Sequence, residues 1–370
     1  MPRKQYLKNV KRIVVKIGSS SLTEKNILSP EKMSRLADEI AAVWSRGYEV
    51  ILVSSGAISA GAGILNVSRN NLSIPQRQAL AAVGQTALMH EYQKVFSRHK
   101  INIAQVLMTE DDVKNRKRYL NIRNTFNQLL SMKIIPIVNE NDTVVVTEIK
   151  FGDNDTLSAH VSNIAESELL ILLSDIDGFY NDLDDAEPVD IIEKIDSELV
   201  KKAGGTGSAH GTGGMVTKIA AANMIMNCGQ QMIIASANEP DILVKILNGE
   251  KKGTIFLKTK EKVSARKRWI LYNVKTSGKI FVDSGAIKAL ISGKKSLLAI
   301  GITGTEGKFT AGDAVEICGP DNVTAAKGIT NYSSKELMLI KGKKSNEIDL
   351  LFGEHYYDEV IHRDNLSIYS

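Results

Sequence analysis

Two clusters of amide and carboxylate side chains are the part of this sequence best suited to hold a small polar ligand. The first, at residues 139–142, directly follows the apolar run 134–138, which has the composition of a buried strand. The second, at residues 153–155, follows a short segment of similar type. Asn and Asp are also common turn residues, so either cluster alone is explained equally well by a turn. Two clusters that each end an apolar segment predict a ligand site at the carboxyl edge of a sheet.

Three glycine-containing turns carry groups that suit phosphate. Lys16 and Gly18 end the first apolar run, and small residues there let backbone N–H groups approach an anion closely. A second turn covers residues 54–61, and a third, at residues 211–218, is rich in Gly and Thr and ends in Lys218. A strand-end lysine is often simply solvated, and small residues also serve close helix packing, so each turn alone is a weak signal. Neither a Walker A loop nor a GxGxxG turn occurs.

The elements that must position these groups alternate between strand-like and helix-like segments, which predicts an α/β sandwich with a largely parallel central sheet. Strands are predicted at residues 11–17, 49–53, 101–108, 134–138, 169–173 and 231–235, and helices from Ser29 to Gly47, at about 75–96, 119–130 and 217–227, and after Pro240. The pattern then changes to short β-like segments at residues 279–282, 296–302 and 314–317. We therefore predict a first domain at 1–258, a polar and basic linker at 259–268, and a small, mainly β domain at 269–370.

Composition limits the class of protein. At about 100–200 residues per domain, 370 residues fit two domains, and 43% hydrophobic residues suffice for packed cores. The net charge of +5 suits anionic ligands without indicating nucleic acid. Cys228 and Cys318 lie far apart, which supports neither a disulfide framework nor a zinc site. The chain shows no signal-peptide pattern and no run of about 18 apolar residues, so we expect a soluble, cytoplasmic protein without a membrane partner.

Six motifs, in this order along the chain, resemble those of the glutamate 5-kinases, which belong to the amino acid kinase family. They are VKIGS at 15–19, SSGAI at 54–58, VNEND at 138–142, FGDND at 151–155, LSD at 173–175 and GTGGMVTK at 211–218. Residues 278–286 and 309–315 similarly resemble the PUA domain that many bacterial members carry. Ser174 stands where some members have threonine, which keeps a hydroxyl at that position. The resemblance implies an amino acid kinase-like three-layer sandwich followed by a PUA-like β domain.

The same resemblance implies a reaction and a set of site residues. The reaction is ATP-dependent phosphorylation of the γ-carboxylate of L-glutamate to glutamyl 5-phosphate, the first step of proline biosynthesis, with Mg²⁺ held mainly through the ATP phosphates rather than by protein ligands. The implied catalytic residues are Lys16, Lys218 and the orienting Asp155, and the implied glutamate-binding residues are Ser55, Gly56, Asn139, Asp142, Asp153 and Asn154. The implied ATP-binding residues are Lys16, Gly18, Ser174, Asp175, Gly211, Thr212, Gly213, Gly214, Met215 and Lys218. Lys150 is a further candidate near the reacting groups.

The resemblance also implies partners. It predicts a homo-oligomer, either a dimer or a tetramer, with proline as a feedback inhibitor and a glutamyl phosphate reductase as a possible partner. A glutamate side chain is already ionised at neutral pH, so the nucleophile needs no general base, and the site has only to bring two anions together. This agrees with clusters that mix cationic and amide groups.

Two alternatives stay open at this point. A carbamate, aspartate or uridylate kinase would share the sheet and the Lys16 turn, although the paired polar clusters and the PUA-like tail favour glutamate. An added RNA-binding role is the second alternative, because the tail carries a group of basic residues: Arg266, Lys267, Arg268, Lys294 and Lys295. No aromatic stacking array interleaves them, so we favour the RNA hypothesis less.

Overall fold

The computed structural model describes residues 3–24, 27–144, 154–182, 185–205, 214–258, 265–293, 295–344, 347–348 and 358–369. Residues 1–262 and 263–370 form two compact units, each with its own core.

An eight-stranded sheet lies at the centre of the first unit. The strands of this unit are β1 (Arg12–Ile17), β2 (Thr23–Glu24), β3 (Ile27–Leu28), β4 (Glu49–Val53), β5 (Asn102–Met108), β6 (Ile134–Glu140), β7 (Leu169–Ser174), β8 (Ile191–Ile192), β9 (Gln231–Ser236) and β10 (Thr254–Phe256). The order across the sheet is β5-β6-β4-β1-β7-β9-β10-β8, while β2 and β3 form a separate hairpin. The six strands from β5 to β9 in this order are parallel to one another, so their carboxyl ends share one edge. The predicted α/β class with a largely parallel sheet is confirmed.

Helices cover both faces of this sheet. They are α1 (Lys4–Leu7), α2 (Pro30–Trp44), α3 (Ala57–Leu65), α4 (Ile74–Ser97), α5 (Glu110–Lys114), α6 (Arg116–Ser131), α7 (Asn154–Ala165), α8 (Ser197–Gly205), α9 (Met215–Asn227) and α10 (Ile242–Asn248). One core joins α2, α4 and α10 to alternate residues of the strands, such as Ile13 and Val15 of β1. Helix α7 packs on β1 and β7 beside α6 and α9, and its residues take no part in that core. Parallel strands covered on both faces are nearly continuous apolar runs, as β7 is from Leu169 to Leu173.

Local sequence signals explain where several elements begin. Ser29 is the N-cap of α2 and accepts a hydrogen bond from the Lys32 amide, and Pro30 occupies the first helical position, as the sequence predicts. Gly47, with φ of +90°, closes the turn between α2 and β4. No helix within the described ranges is long and apolar enough to cross a membrane. Cys228 and Cys318 are both buried free thiols.

Helix α7 is among the elements that the sequence does not predict. The second polar cluster opens a helix, because Asn154 and Asp155 form the first turn of α7, while the β-like segment expected before it lies outside the described residues. Residues 157–165 are all buried, polar side chains such as His160 and Asn163 included, so the helix lacks the exposed polar face by which a surface helix is recognised from its sequence.

The second unit is mainly β, as predicted. Its strands are β11 (Thr276–Val282), β12 (Leu297–Leu298), β13 (Ile302–Gly307), β14 (Ala314–Cys318), β15 (Thr324–Ile329), β16 (Glu359–Ile361) and β17 (Leu366–Ile368), and its helices are α11 (Ala265–Asn273), α12 (Ser284–Ile291) and α13 (Ser334–Ile340). Five strands form a sheet in the order β13-β11-β14-β15-β17, and β12 pairs with β16. The segment predicted as one strand at 296–302 is instead β12 followed by a 3-10 turn, Ala299–Gly301. Helix α11 begins inside the stretch that the sequence assigned to a linker.

Candidate active site

The carboxyl ends of β1, β4, β6 and β7 bring most of the predicted site residues to one edge of the sheet. Lys16 lies in β1, opposite Val53 of β4 on one side and Leu172 of β7 on the other. The chain first adds strands on the β4 side of β1 and later crosses to the β7 side. Such a change of direction leaves a crevice outside the strand ends, where ligands bind in open α/β sheets.

A buried carboxylate bridges two lysines in this crevice. Lys16 Nζ lies 2.6 Å from Asp155 Oδ1, and Lys218 Nζ lies 3.2 Å from Asp155 Oδ2. The Thr217 hydroxyl donates to the same Oδ2 at 3.2 Å. Asp155 has no exposed surface, and Lys16 and Lys218 are 7% and 5% exposed. The structure therefore unites the three residues predicted to be catalytic, which come from β1, α7 and α9.

The electrostatics of this trio favour an ionised carboxylate. Burial by itself would raise the pKa of Asp155, because it removes water from the charged form, but the ammonium groups of Lys16 and Lys218 outweigh it and hold the pKa below its usual value. Two ammonium groups then face one carboxylate, which leaves one net positive charge. An anionic ligand complements the net charge of this trio.

A second group of polar side chains surrounds Asn154. Its Nδ2 donates to Ser55 Oγ at 2.6 Å and to the Ser54 carbonyl at 2.8 Å, and it lies 3.4 Å from Asn139 Oδ1. Asn139 Oδ1 also accepts from the Glu140 amide at 2.9 Å. The amides and hydroxyl predicted to bind substrate thus hold one another in fixed positions.

Gln85 belongs to this group and was missed by the sequence analysis. Asn139 Nδ2 donates to Gln85 Oε1 at 2.8 Å. The Nε2 atom of Gln85 is buried and has no hydrogen-bond partner among the described residues. Gln85 interrupts a run of small and apolar residues in α4, but nothing local connects it with Asn139, 54 positions further along the chain.

Two glycine contacts bring α3 and α4 close enough for this arrangement. A Cβ on Gly84 would lie 1.8 Å from the Ala57 carbonyl oxygen, and a Cβ on Gly61 would lie 2.0 Å from the Leu80 carbonyl oxygen. The two backbones therefore touch. Gly56, which precedes α3, has a φ of +100°, a conformation that a side chain would strain.

The remaining predicted residues have simpler surroundings. Gly18 precedes a short 3-10 turn, Gly214 is the N-cap of α9, and Met215 is the first residue of that helix. Ser174 ends β7 and its hydroxyl donates to Asp175 Oδ1 at 2.9 Å, while Asp142 follows β6 in a turn. Asp153, Gly211, Thr212, Gly213 and Lys150 lie outside the described residues.

A cavity of about 270 Å³ lies beside the ends of β7 and β9. Ser236, in its wall, is the register partner of Ser174, and Asp177 lies two residues beyond Asp175. The lining residues are Asp177, Glu187, Pro188, Ser236, Glu239, Ile242, Lys251, Lys252 and Gly253. No shared motif marks these residues in the sequence, since they come from four separate segments.

The side chains do not form a dedicated metal cage. Within the described ranges, no group of three or more His, Cys, Asp or Glu residues is placed to hold a metal ion. Both oxygens of Asp155 contact lysines instead. This donor set fits a magnesium ion that is carried by phosphate oxygens and water better than one held by protein carboxylates.

Comparison with known proteins gives two domain matches. Residues 11–236 match the amino acid kinase family, and residues 278–351 match the PUA domain. Glutamate 5-kinase from Trichlorobacter lovleyi is 47% identical over 369 residues, covering 98% of each chain. The enzyme of the same name from Geobacter sulfurreducens is 46% identical and covers 99% of this chain and 100% of its own.

Solved structures share the fold of the first unit. Giardia carbamate kinase superposes with a TM-score of 0.50 at 17% identity, covering 68% of this chain and all of its own. Carbamate kinase from Giardia lamblia bound to AMP-PNP gives the same TM-score at 18% identity and covers 68% of this chain and 99% of its own. At this identity the likeness concerns the fold alone.

Proposed function

The chain belongs to the amino acid kinase family, among its glutamate 5-kinases, and on that premise we propose that the Asn154 group binds L-glutamate while the Lys16–Asp155–Lys218 trio receives the phosphoryl group of ATP. The reaction is phosphorylation of glutamate to glutamyl 5-phosphate, which begins proline biosynthesis. One observation carries this assignment of the two sites. Asn154 belongs to the first group and Asp155 to the second, and because they are consecutive residues, the two proposed sites are adjacent.

The glutamate half of the site is proposed to use the second polar group. Ser55 Oγ accepts from Asn154 Nδ2, which directs the hydroxyl hydrogen of Ser55 away from Asn154 and toward a ligand carboxylate. The backbone N–H groups after Gly56, at the start of α3, are further donors of the same kind. Asp142, and Asp153 by family resemblance, are proposed to receive the substrate ammonium, because a carboxylate complements its charge.

The lysine trio is proposed to stabilise charge during transfer. A glutamate carboxylate attacks the terminal phosphorus of ATP, a P–O bond to ADP breaks, and negative charge spreads over the transferring oxygens. Lys16 and Lys218 contact opposite oxygens of one carboxylate, so their ammonium groups are held in place before the substrates bind. Preset cations lower the barrier without reorganising at the moment of reaction.

The nucleotide is proposed to bind along the ends of β7 and β9. Ser174 and Asp175 border this region by family resemblance, and Gly214 and Met215 start a helix whose first amides suit phosphate. The cavity beyond Ser236 has room for the base and ribose, and its acidic side chains suit ribose hydroxyls. Mg²⁺ would enter on the ATP phosphates and offset their charge.

Partners and regulation form a second part of the proposal. Exposed apolar side chains of α3 and α4, including Ile64, Leu65 and Ile74, are between 45% and 53% exposed and support a homo-oligomer through the first unit. We also propose inhibition by proline, a cyclised analogue of glutamate, at the Asn154 group. A cytoplasmic location, where ATP is available, and a glutamyl phosphate reductase that consumes the product complete this proposal.

A coupled assay tests the reaction. ADP release should require glutamate and ATP together, and hydroxylamine should trap an acyl phosphate as a hydroxamate. Aspartate, carbamate and UMP, tested in parallel, should give much lower kcat/KM values. Preference for any of these three acceptors would overturn the assignment of substrate.

A further inference from the structure

The N-terminal segment places a buried arginine behind the wall of the cavity that lies beside β7 and β9. The side chain of Arg3 is 4% exposed. Its Nε donates to Asp190 Oδ1 at 2.7 Å, and Nη2, which also contacts that oxygen, donates to the Asp190 carbonyl at 2.8 Å. Nη1 donates to the Lys252 carbonyl at 2.6 Å, and Nη2 donates to the Gly253 carbonyl at 2.6 Å. One guanidinium thus satisfies acceptors on two chain segments.

Those two segments form one wall of the cavity. Glu187 and Pro188 come from the segment that leads to Asp190, and Lys251, Lys252 and Gly253 form the other segment. The segments are about 60 residues apart in the chain, yet Arg3 ties both to itself with buried bonds. Arg3, near the start of the chain, therefore adds a buried side-chain link to the backbone pairing of β8 with β10, which also joins these segments.

A second side-chain link between these segments is weaker. Lys251 and Glu187 form an ion pair at 2.8 Å, but their side chains are 58% and 73% exposed. Exposed pairs of this kind contribute little, because water and salt screen them. A buried arginine fork with several acceptors is stronger and fixes geometry as well as distance.

The segment that carries Arg3 is itself firmly seated. Gln231 Nε2 donates to the Tyr6 carbonyl at 3.0 Å. Gly249, with φ of +86°, lies so close that a Cβ there would be 2.5 Å from the Lys4 amide nitrogen. The residues that follow Arg3 are thus held in place by β9 and by the turn after α10.

We infer that Arg3 is a positioning residue for nucleotide binding, which acts by fixing the wall formed by residues 187–190 and 251–253. The inference rests on the proposed function, in which this cavity receives the base and ribose of ATP. Because the wall contacts the part of ATP that does not react, its loss weakens ATP binding in the ground state and the transition state alike. Such a change raises KM for ATP and leaves kcat nearly unchanged.

The experiment compares Arg3→Gln and Arg3→Lys with the matched control Lys8→Gln, which removes the same charge from an exposed position nearby. Arg3→Lys keeps the charge but cannot reach four acceptors at once. Both Arg3 variants should raise KM for ATP roughly fivefold or more, which corresponds to the loss of one or two buried hydrogen bonds. Their kcat and KM for glutamate should stay within about twofold of the parent enzyme. Lys8→Gln should change none of the three constants.

A further variant separates failure of the inference from failure of the nucleotide assignment. Ser236→Leu fills the cavity directly and should also raise KM for ATP. If Ser236→Leu has no effect, the cavity does not bind ATP and the assignment itself is wrong. If Ser236→Leu raises KM for ATP and neither Arg3 variant does, the role of Arg3 is refuted. A third outcome would also refute the role of Arg3. If an Arg3 variant still unfolds cooperatively but shows a higher KM for both substrates and a lower kcat, to similar extents, then Arg3 has a general structural role.

Discussion

Asn154 and Asp155, adjacent residues in the first turn of α7, direct their side chains into two different groups of the site. Asn154 contacts Ser55 at 2.6 Å, whereas Asp155 contacts Lys16 at 2.6 Å. Adjacent Cα atoms are about 3.8 Å apart. The start of one helix therefore sets the distance between the group proposed for the acceptor carboxylate and the group proposed for the transferred phosphoryl.

Replacement of either lysine should damage the chemical step. If Lys16 and Lys218 stabilise charge that develops during transfer, Lys→Ala at either position should lower kcat by about 100-fold or more, with a smaller change in KM for glutamate. Arginine should not restore the rate, because its planar fork differs from a compact ammonium. Steady-state kinetics provide the measurement. A Lys16→Ala enzyme with near-normal kcat would contradict the assignment.

Changes in the acceptor group should affect glutamate and spare ATP. Asn154→Ala removes the amide that holds Ser55, and Asp142→Ala removes a carboxylate proposed for the substrate ammonium, so each should raise KM for glutamate at least tenfold, which is about 1.4 kcal/mol. Calorimetric titration with ADP should give a nearly unchanged Kd. Thr143→Ala, an exposed change next to Asp142, is the control. Loss of ADP binding with intact glutamate affinity would mean that the two sites are exchanged.

The glycine contact between α3 and α4 predicts a coupled loss of stability and substrate affinity. In Gly84→Ala the new methyl group would overlap the Ala57 carbonyl, so the helices must separate, at a cost of about 3 kcal/mol. Separation would also move Gln85 away from Asn139 and raise KM for glutamate. Urea unfolding and kinetics measure the two effects. Thr86→Ala, on the exposed side of α4, should change neither.

Asp155 should contribute to acid sensitivity. Its pKa is lowered in the folded state, so its stabilising effect is fully present above the unfolded value of about 3.9 and is lost as pH falls toward the folded value. Asp155→Asn would remove the carboxylate that two buried ammonium groups share, at a cost of about 3–5 kcal/mol near neutral pH. The difference in unfolding free energy between parent and variant should therefore shrink below about pH 4. A difference that stays constant from pH 7 to pH 3 would contradict this.

The division into two units predicts that the first is autonomous. All residues proposed for catalysis lie within residues 1–258, and the buried core residues that the structure describes around the central sheet lie between Leu7 and Ile255. A fragment of residues 1–258 should unfold cooperatively and keep glutamate-dependent ADP release, measured after size-exclusion chromatography. A fragment that is folded but wholly inactive would show that the second unit contributes to catalysis.

The elements that could be predicted from sequence are those in which the pattern of apolar and polar residues matches the pattern of burial. Strand β4 was predicted with the observed ends, Glu49 and Val53, because its apolar run stops at polar residues on both sides. Helix α7 could not be read in the same way, because it is buried on all sides and begins inside a polar cluster.

Contacts between distant residues set a second limit. The pairing of Gln85 with Asn139 depends on how closely α3 and α4 approach, which local patterns do not encode. The contact of Arg3 with Asp190 spans 187 positions and depends on where β8 lies in the sheet. Lys16, Asp155 and Lys218 were predicted because each lies in a motif that resembles the family. Nothing in the sequence indicates that the three side chains contact one another.

The positions of Lys16 and Lys218 along the chain also have a consequence during translation. Lys16 emerges early, whereas Lys218 belongs to α9 and contacts Asp155 across 63 positions. Since a domain generally folds as a unit and α9 belongs to the first unit, a nascent chain ending before α9 would hold at most the Lys16–Asp155 pair, in which the charges cancel. The net positive charge that we assign to phosphoryl transfer arises only once α9 has folded against α7. An interrupted translation product would therefore be unable to consume ATP wastefully.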